Sequence, residues 1–596
     1  MGFSAGMTYS ANIIKAGRRP ITSVFIDFDQ CANTFGSSPC TAVAPAGAEC
    51  FNTFCTCQDK ANYDGSNILT VVLSDASADV FNSPASSPGD IYIPCINSIS
   101  IAPEKITPGK GLGVRGRISI SCLDFPHHDI NIDPYLSTRT YDAISQGTFF
   151  GKLMARNIHY ANRPIKIRQY FSEGGRASGD YRELYYILDS IEGPDSKGKV
   201  TITAKDPLIL AEASKAQCPV ASTGTLSAAL AAGTTTTFSL NSGEGADYPS
   251  GAHVLRINDE IISIASRSTD TFTIASRSYG GTTADDHEQD DTVQLCYVAD
   301  GTSGYRVDLT IADLLENYAN IPAAYIPAAT WATEATTWAS SYNLQTIISE
   351  PTSVEALLSE ICVETNSILW WSPSEKLIKW ETQTPDFSTL SSLSDRDMVK
   401  DSIKVKRLEN DRISQVLFYS DVRNWTEARE PKNYRALQVR IDSTGESDDA
   451  YQSPAVKKIF ARWLQSPSVT GEVASRYLSR FKKPPEQVTT EIDLKDIDTI
   501  LTGDHVNLSS NMLQNQYGAN YLLEMQVLSI QHDTQRQIVK IEALRFRYDA
   551  QKYCSVGADS LNDYTAESDS NKLLYGFIAD TSTVKMSNGD DPYLIT

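Results

Sequence analysis

Five of the eleven cysteines lie within one short segment, which begins at Cys31 and ends at Cys57. The segment reads CANTFGSSPC, then TAVAPAGAE, then CFNTFCTC, and it is rich in Gly, Pro, Ser and Asn. Because such a loop has few large apolar side chains, burial cannot fix its shape, and we expect a covalent or coordinative constraint. Two pairs of thiols can reach one tetrahedral or cuboidal metal centre: Cys31 with Cys40, and Cys50 with Cys57. Cys55 is left over.

The residues alone leave the nature of this constraint open. The spacing differs from the C-x2-C of common zinc ribbons, which weakens a zinc interpretation without excluding it. The first residues contain no apolar core of a signal peptide, and no apolar run reaches about 18 residues, so we expect a protein kept in the cytosol. Thiols stay reduced there, which favours metal ligation over disulfides. An iron-sulfur cluster, structural zinc and unrelated buried thiols remain equal alternatives at this point.

Other motifs predict little chemistry. The run GLGVRG at 111–116 matches G-x-G-x-x-G, but it precedes the strand-like RISIS instead of opening a helix, so nucleotide binding is not expected. His127, His128 and Asp129 are candidate metal ligands or bases, although adjacent histidines in a Pro/Asp-rich loop are more often solvated. No local motif of a hydrolase, kinase or metalloprotease is present, and we predict no catalytic residues.

Composition and length predict a β-rich protein of several domains. A chain of 596 residues exceeds one hydrophobic core, and its many tyrosines and Thr/Ser/Val alternations favour strands. The expected fold class is α+β, β-rich and multidomain. A net charge of -21 disfavours a surface that grips nucleic acid, because phosphate binding needs clustered Lys and Arg.

Local patterns then place the elements. Val24, Ile26 and Phe28 alternate on one face of a strand that leads directly into Cys31, which would anchor the loop on a sheet. The string IASRS occurs at 264–268 and again at 274–278, which predicts a hairpin inside an inserted module.

Two helix starts are also predicted. Thr352 and Glu355 have the spacing of a capping box before an apolar stripe, and PAVKKIFARWL at 454–464 is interpreted as helical. The Ser/Asp/Asn-rich end of the chain predicts an arm that orders against a partner.

These patterns divide the chain into six predicted parts. They are 1–65, a strand and the Cys-rich loop; 66–215, a first β domain; 216–298, the inserted β module; 299–400, an α+β domain; 401–550, a second domain with helices and strands; and 551–596, the extended arm.

The strand followed by CANTFGSSPC and CFNTFCTC resembles the iron-sulfur module of baseplate hub and tail tip proteins. These occur in long-tailed, siphovirus-like bacteriophages, including lambda-type tail tip proteins, and in gene-transfer agents. In that family, two cysteines eight residues apart with an aromatic between them precede two cysteines six residues apart. Here eight residues including Phe35 separate Cys31 from Cys40, and six separate Cys50 from Cys57.

The resemblance implies an iron-sulfur cluster, of the 4Fe-4S type, with zinc as the alternative. Its cofactor-binding ligands would be Cys31, Cys40, Cys50 and Cys57. Parts 66–215 and 401–550 would be tube-type β domains of a hub.

The resemblance also implies a function. The protein would be a structural virion protein, a homotrimer at the tail tip that is assembled in the host cytoplasm. Its partners would be the tail tube, the distal tail protein, the tape-measure protein and a central fibre or receptor-binding protein. DNA would pass through its channel without specific binding, and no membrane segment is expected. The alternatives are a host receptor- or glycan-binding adsorption protein of the tail and a metal-dependent enzyme.

Overall fold

Strand β1 (Pro20–Gln30) organises the first sheet, and it forms where the sequence alternates apolar residues. Val24, Ile26 and Phe28 are at most 2% exposed, as the predicted strand requires. The computed structural model describes residues 9–15, 19–75, 91–171, 180–212, 214–384, 391–496, 500–533 and 536–546, and the backbone of two short strands beyond them.

The first sheet has eight strands in the order β3-β2-β1-β6-β7-β8-β5-β4. Besides β1, its strands are β2 (Asn67–Ser74), β3 (Ile91–Ile93), β4 (Ile96–Ala102), β5 (Arg117–Leu123), β6 (Pro164–Phe171), β7 (Tyr181–Glu192) and β8 (Lys199–Lys205). Short helix α1 (Tyr9–Ile13) precedes β1. Helix α2 (Phe149–Arg156) packs its buried Phe149, Phe150 and Leu153 into the core beneath this sheet.

The insertion forms a separate five-stranded sheet in the order β10-β13-β12-β11-β14. After the short β9 (Gln217–Cys218), its strands are β10 (Thr237–Ser239), β11 (His253–Ile257), β12 (Glu260–Ser268), β13 (Thr271–Ser276) and β14 (Val293–Leu295). The predicted IASRS hairpin is confirmed, because β12 and β13 pair antiparallel around a turn at 269–270.

Helices and short strands follow the insertion and share one large apolar core. The strands are β15 (Tyr297–Asp300), β16 (Gln345–Ile348), β17 (Thr352–Ser353), β18 (Ser367–Ser372) and β19 (Leu377–Thr382). The helices are α3 (Val307–Asp313), extended by a π-helical turn, α4 (Ala328–Trp338) and α5 (Val354–Thr365).

The predicted capping box at the start of α5 is wrong. Ser353, not Thr352, stands at the cap position, and it makes no side-chain capping bond. The Thr352 hydroxyl donates to the Glu350 carbonyl, and Glu355 pairs with Arg115 instead of the helix backbone. The ion pair between Glu355 and Arg115 therefore takes the place of the local hydrogen bonds of a capping box.

The last sheet has six strands in the order β20-β26-β27-β28-β25-β21. Beside it lies a three-stranded sheet in the order β23-β22-β24. The strands are β20 (Ser391–Ser394), β21 (Lys404–Arg407), β22 (Gln415–Val422), β23 (Tyr434–Ile441), β24 (Val456–Phe460), β25 (Glu486–Asp493), β26 (His505–Ser509), β27 (Leu523–Asp533) and β28 (Ile538–Arg545). Helices α6 (Ser443–Glu446) and α7 (Pro467–Phe481) flank β24 along the chain.

The helical interpretation of PAVKKIFARWL is wrong, because its first half is strand β24. This strand pairs in parallel with β22 at the edge of the sheet, so β22 takes up backbone hydrogen bonds that a helix would form locally. Ile459 is buried, and the Phe460 ring stacks on Tyr419 with centroids 4.8 Å apart. Cross-strand packing of β-branched and aromatic residues outweighs local helix propensity here.

The two large sheets repeat one pattern of four neighbouring strands. The orders β5-β8-β7-β6 and β25-β28-β27-β26 are both antiparallel throughout. Each contains a register shift at the corresponding pair of strands, between Leu188 and Ser190 in the β7–β8 pair and between Val527 and Ser529 in the β27–β28 pair. The chain thus carries two β units of the same strand order.

The expected β-rich, multidomain α+β class is confirmed by these sheets and helices. Residues Met1–Phe546 form one compact unit and Arg547–Thr596 another. In the second unit, β29 (Ser555–Val556) pairs in parallel with β30 (Tyr575–Gly576), and the rest of the predicted arm lies outside the described residues. None of the helices in the described ranges is long and apolar enough to cross a membrane.

Candidate metal centre

The cysteine loop begins where β1 ends, so the sheet fixes the position of its first thiol. Cys31 follows Gln30 directly, and its backbone N–H donates to the Asn52 carbonyl over 2.7 Å. This bond joins the two arms of the loop. Asn52 adopts a left-handed backbone conformation (φ 55°), which Asn tolerates better than most residues. Cys31 and Cys50 are each 8% exposed.

Three of the predicted ligands act electrostatically on the fourth, Cys50. Burial raises the pKa of the Cys50 thiol, and the thiolate charges of Cys57, Cys40 and Cys31 raise it further, against a lowering by the Asn52 backbone. The side chains of Cys57, Cys40 and Cys31 therefore lie near enough to Cys50 to influence its ionisation.

Cys55 points elsewhere. Its thiol donates to the Arg156 carbonyl over 2.6 Å, at the C-terminal end of α2, and it lies 3.5 Å from the Thr53 hydroxyl. Carbonyls at a helix C-terminus lack partners within the helix, so a thiol donor satisfies one of them. The structure thus separates Cys55 from the set centred on Cys50.

The donor chemistry of this set fits a thiolate-ligated metal or cluster. All five cysteines of the loop are free thiols, and soft thiolates are the ligands of zinc and of iron-sulfur clusters. Within the described residues, no group of three or more His, Cys, Asp or Glu side chains is gathered closely enough to hold a metal ion. Ligation would therefore require the thiols to approach one another more closely than they stand here.

A buried arginine holds the second arm of the loop. The Arg139 guanidinium donates to the carbonyls of Glu49 and Cys50, over 2.6 and 3.0 Å, and to the Gly47 carbonyl over 3.2 Å. It also forms a two-point ion pair with Asp133, at 2.7 and 2.9 Å. The side chains of Arg139 and Asp133 are 2% and 0% exposed. We call this arrangement the Arg139 clamp.

Phe51 lies between two arginines. The guanidinium carbons of Arg139 and Arg156 stand 4.0 and 4.1 Å from the centroid of its ring, which is cation-π geometry. Arg156 in turn donates to the Asp129 carboxylate over 2.7 Å. The residue next to Cys50 is therefore fixed by two charged groups from outside the loop.

The expectation that the two adjacent histidines are solvated is wrong for His127, which is 8% exposed, while His128 is exposed as expected. Asp129 beside them is 1% exposed. Burial alone would raise the pKa of Asp129, but the neighbouring His127 ring and the hydrogen bonds from Lys152 and Arg156 hold it well below its usual range. Lys152 and Arg156 hold the carboxylate inward, where it supports Arg156 under the cysteine loop.

Sequence reasoning did not find Arg139, Arg156 or Phe51. The two arginines lie about a hundred residues beyond the loop and carry no local signature. The sequence does contain one indirect signal, the glycine at position 47. In the structure Gly47 has φ +86°, and a Cβ there would stand 3.0 Å from the Thr138 carbonyl. A glycine in this loop thus indicates close approach of the 138–140 segment.

No protein-family model matches the chain, and no curated protein matches it. Solved structures similar to it include a 43 kDa tail protein of prophage MuSo2 from Shewanella oneidensis, with 10% identity, a TM-score of 0.34, and coverage of 75% of this chain and 97% of that one. A tail protein from Neisseria meningitidis has 9% identity, a TM-score of 0.31, and coverage of 76% and 96%. Prophage tail protein gp18 from Listeria monocytogenes has 8% identity, a TM-score of 0.34, and coverage of 81% and 92%. Likeness at these TM-scores carries no argument about function.

Proposed function

We propose that this chain is a structural tail protein of a bacteriophage-like particle, the hub at the tail tip, with an iron-sulfur cluster in its N-terminal loop. The observation that carries the proposal is the set of thiols around Cys50. Cys57, Cys40 and Cys31, which the hub-type spacing also selects, act electrostatically on Cys50, whereas the Cys55 thiol turns to the Arg156 carbonyl.

The cluster is proposed as a structural element. When bound, it would supply a four-thiolate cross-link between the two arms of the loop. The residues of the chain prepare that link: β1 positions Cys31, the bond to Asn52 joins the arms, and the Arg139 clamp fixes the backbone at Cys50. A loop of few apolar side chains gains most from such a cross-link, because its own core is small.

The repeated strand order supports a place in the tail axis. Two β units of the same strand order in each chain would let a homotrimer present about six similar units to a six-fold tail tube, and three-fold symmetry to a fibre. The proposed partners are the tail tube, the distal tail protein, the tape-measure protein and the central fibre. A net charge of -21 would repel DNA passing through a channel lined by this protein.

Iron and sulfide analysis of anaerobically purified protein tests the cofactor. We expect iron and acid-labile sulfide in stoichiometric amounts, with visible absorption that Cys31→Ser and Cys50→Ser abolish. Cys55→Ser is the matched control and should keep both, because its thiol faces α2. Stoichiometric zinc without iron, or equal loss in the Cys55 variant, would overturn the assignment.

The copy number and position in the particle test the hub. The mass of the purified protein in solution should correspond to three chains, and electron cryomicroscopy of particles should place three copies on the tail axis. Copies at the periphery would favour the adsorption protein instead.

A further inference from the structure

A cationic pocket opens at the start of β24 and shares no residue with the cysteine loop. Its volume is about 350 Å³, and its wall is formed by four separate segments. They are residues 108–110, residues 410–413, residues 455–457 and Phe481 at the end of α7.

The charges in this wall are unusual for so acidic a chain. Three cationic side chains line the pocket, Lys110, Arg412 and Lys457, against one carboxylate, Asp411. Lys110 is 60% exposed and lies 2.6 Å from Asp411. Two cations in the wall therefore lack a carboxylate partner there.

Arg412 is buried with part of its hydrogen-bonding capacity unused. The residue is 9% exposed, its guanidinium lies 4.2 Å over the Tyr451 ring, and one nitrogen donates to the Ser453 carbonyl over 2.7 Å. The other terminal nitrogen, Nη1, is buried and has no hydrogen-bond partner among the described residues. A buried, unpaired donor of a charged group is costly, and an acceptor from a ligand would remove that cost.

Glu446, the nearby carboxylate, does not accept a hydrogen bond from Arg412. Its carboxylate acts on Arg412 through space, but its oxygens accept hydrogen bonds from Ser414 and Gln415. Arg412, a residue of the pocket wall, thus keeps one guanidinium nitrogen without an acceptor among the described residues.

Lys457 is held without an acidic partner in the part of the chain that the structure describes. Its ammonium donates to the Gly109 carbonyl over 2.8 Å and lies 4.8 Å over the Tyr477 ring. Burial and the neighbouring Lys110 lower its pKa to about 8. A bound anion would offset both effects, since it would supply the missing opposite charge.

We propose that this pocket binds the phosphate group of a phosphate monoester, with Lys110, Arg412 and Lys457 as its donors. Three cations against one carboxylate leave an excess charge that matches a phosphate dianion better than a carboxylate. Ammonium groups act as point charges toward phosphate and do not need the planar fit that a carboxylate favours. The apolar walls at Val456 and Phe481 offer contact to the organic part of the ester.

Isothermal titration calorimetry of the full chain tests the site, with inorganic phosphate and glycerol 3-phosphate as probes and glycerol as the blank. Lys457→Gln and Lys110→Gln should each weaken binding about tenfold, the effect of losing one charge-assisted hydrogen bond. Lys458→Gln is the matched control, because Lys458 is the next residue of β24 and is exposed. It should bind both probes like the unchanged protein.

The expected result is saturable binding of both phosphate probes and none of glycerol. Absence of phosphate binding, or equal weakening by Lys458→Gln, would overturn the proposal. Cys31→Ser should bind phosphate normally, since the pocket contains no residue of the loop. This variant separates a failure of the phosphate site from a failure of the proposed tail-hub function.

Discussion

Replacing Arg139 by Met should release the second arm of the cysteine loop while leaving the sheet intact. The substitution removes three hydrogen bonds to loop carbonyls and the ion pair with Asp133. Methionine keeps much of the apolar stem that the arginine buries, so packing changes little.

The size of the expected effect follows from the buried carboxylate that loses its partner when Arg139 is replaced. Asp133 would keep its place with 0% side-chain exposure and lose its cationic partner. Removing one partner of a buried pair costs about 3–5 kcal/mol, because the remaining charge is uncompensated. At the lower end, about 3 kcal/mol corresponds to a factor of about 100 in the equilibrium between closed and open loop.

Amide hydrogen exchange followed by mass spectrometry measures this directly, because it reports local opening in a large protein that does not unfold in one step. Exchange should accelerate by about that factor in peptides covering residues 31–57, whose amides at Cys31 and Cys40 are hydrogen-bonded. Peptides from β7 and β8 should stay unchanged.

Arg117→Met is the matched control, because Arg117 is exposed on β5 of the same sheet. Its loop peptides should exchange like those of the unchanged protein. Unchanged protection in the Arg139 variant would refute the clamp, and equal acceleration across all sheets would show global destabilisation instead.

Three further substitutions test other parts of the fold. Glu364 is 2% exposed and accepts three backbone N–H groups of the segment before α7, so Glu364→Leu should lower the free energy of local opening of that segment by about 3 kcal/mol or more, measured by amide hydrogen exchange of peptides that cover residues 462–464. Burial, aided by nearby carboxylates, raises the pKa of Glu381 from 4.5 to about 8. The unfolded chain ionises first, so stability should fall between these pH values, and Glu381→Gln should reduce that slope in thermal melts from pH 5 to 8, leaving the part that Asp206 and Glu364 contribute. A Cβ at Gly281 would stand 1.7 Å from the Arg423 carbonyl, so Gly281→Ala should loosen the inserted module and speed its proteolysis, whereas Gly251→Ala, in open space, should not.

Short-range patterns were sufficient for several elements. The period-two alternation of Val24, Ile26 and Phe28 predicted β1, because a strand with one buried face must show it. The IASRS string, repeated on both sides of the Thr269-Asp270 turn, predicted the hairpin of β12 and β13, because a short turn brings two adjacent strands together. In each case the neighbours that determine the structure are close in sequence.

Longer-range contacts decided the cases that the patterns missed. Residues 456–460 form a strand because β22 lies alongside them, a partner more than thirty residues earlier. Asp129 is buried because Lys152 and Arg156, on a later helix, supply opposite charge. The sequence of residues 456–460 does not identify β22 as their partner, and the sequence around Asp129 does not identify Lys152 or Arg156.

The cysteine loop shows the same division. Thiol type and spacing are local properties, so the sequence was sufficient to select the cysteines that could ligate a metal. The folded chain was needed to show that the Cys55 thiol turns to the end of α2 while Cys57 lies near Cys50, and that Arg139 holds the backbone at Cys50. Two cysteines separated by one residue in a loop can face opposite ways, because their directions are set by hydrogen-bond partners about a hundred residues away.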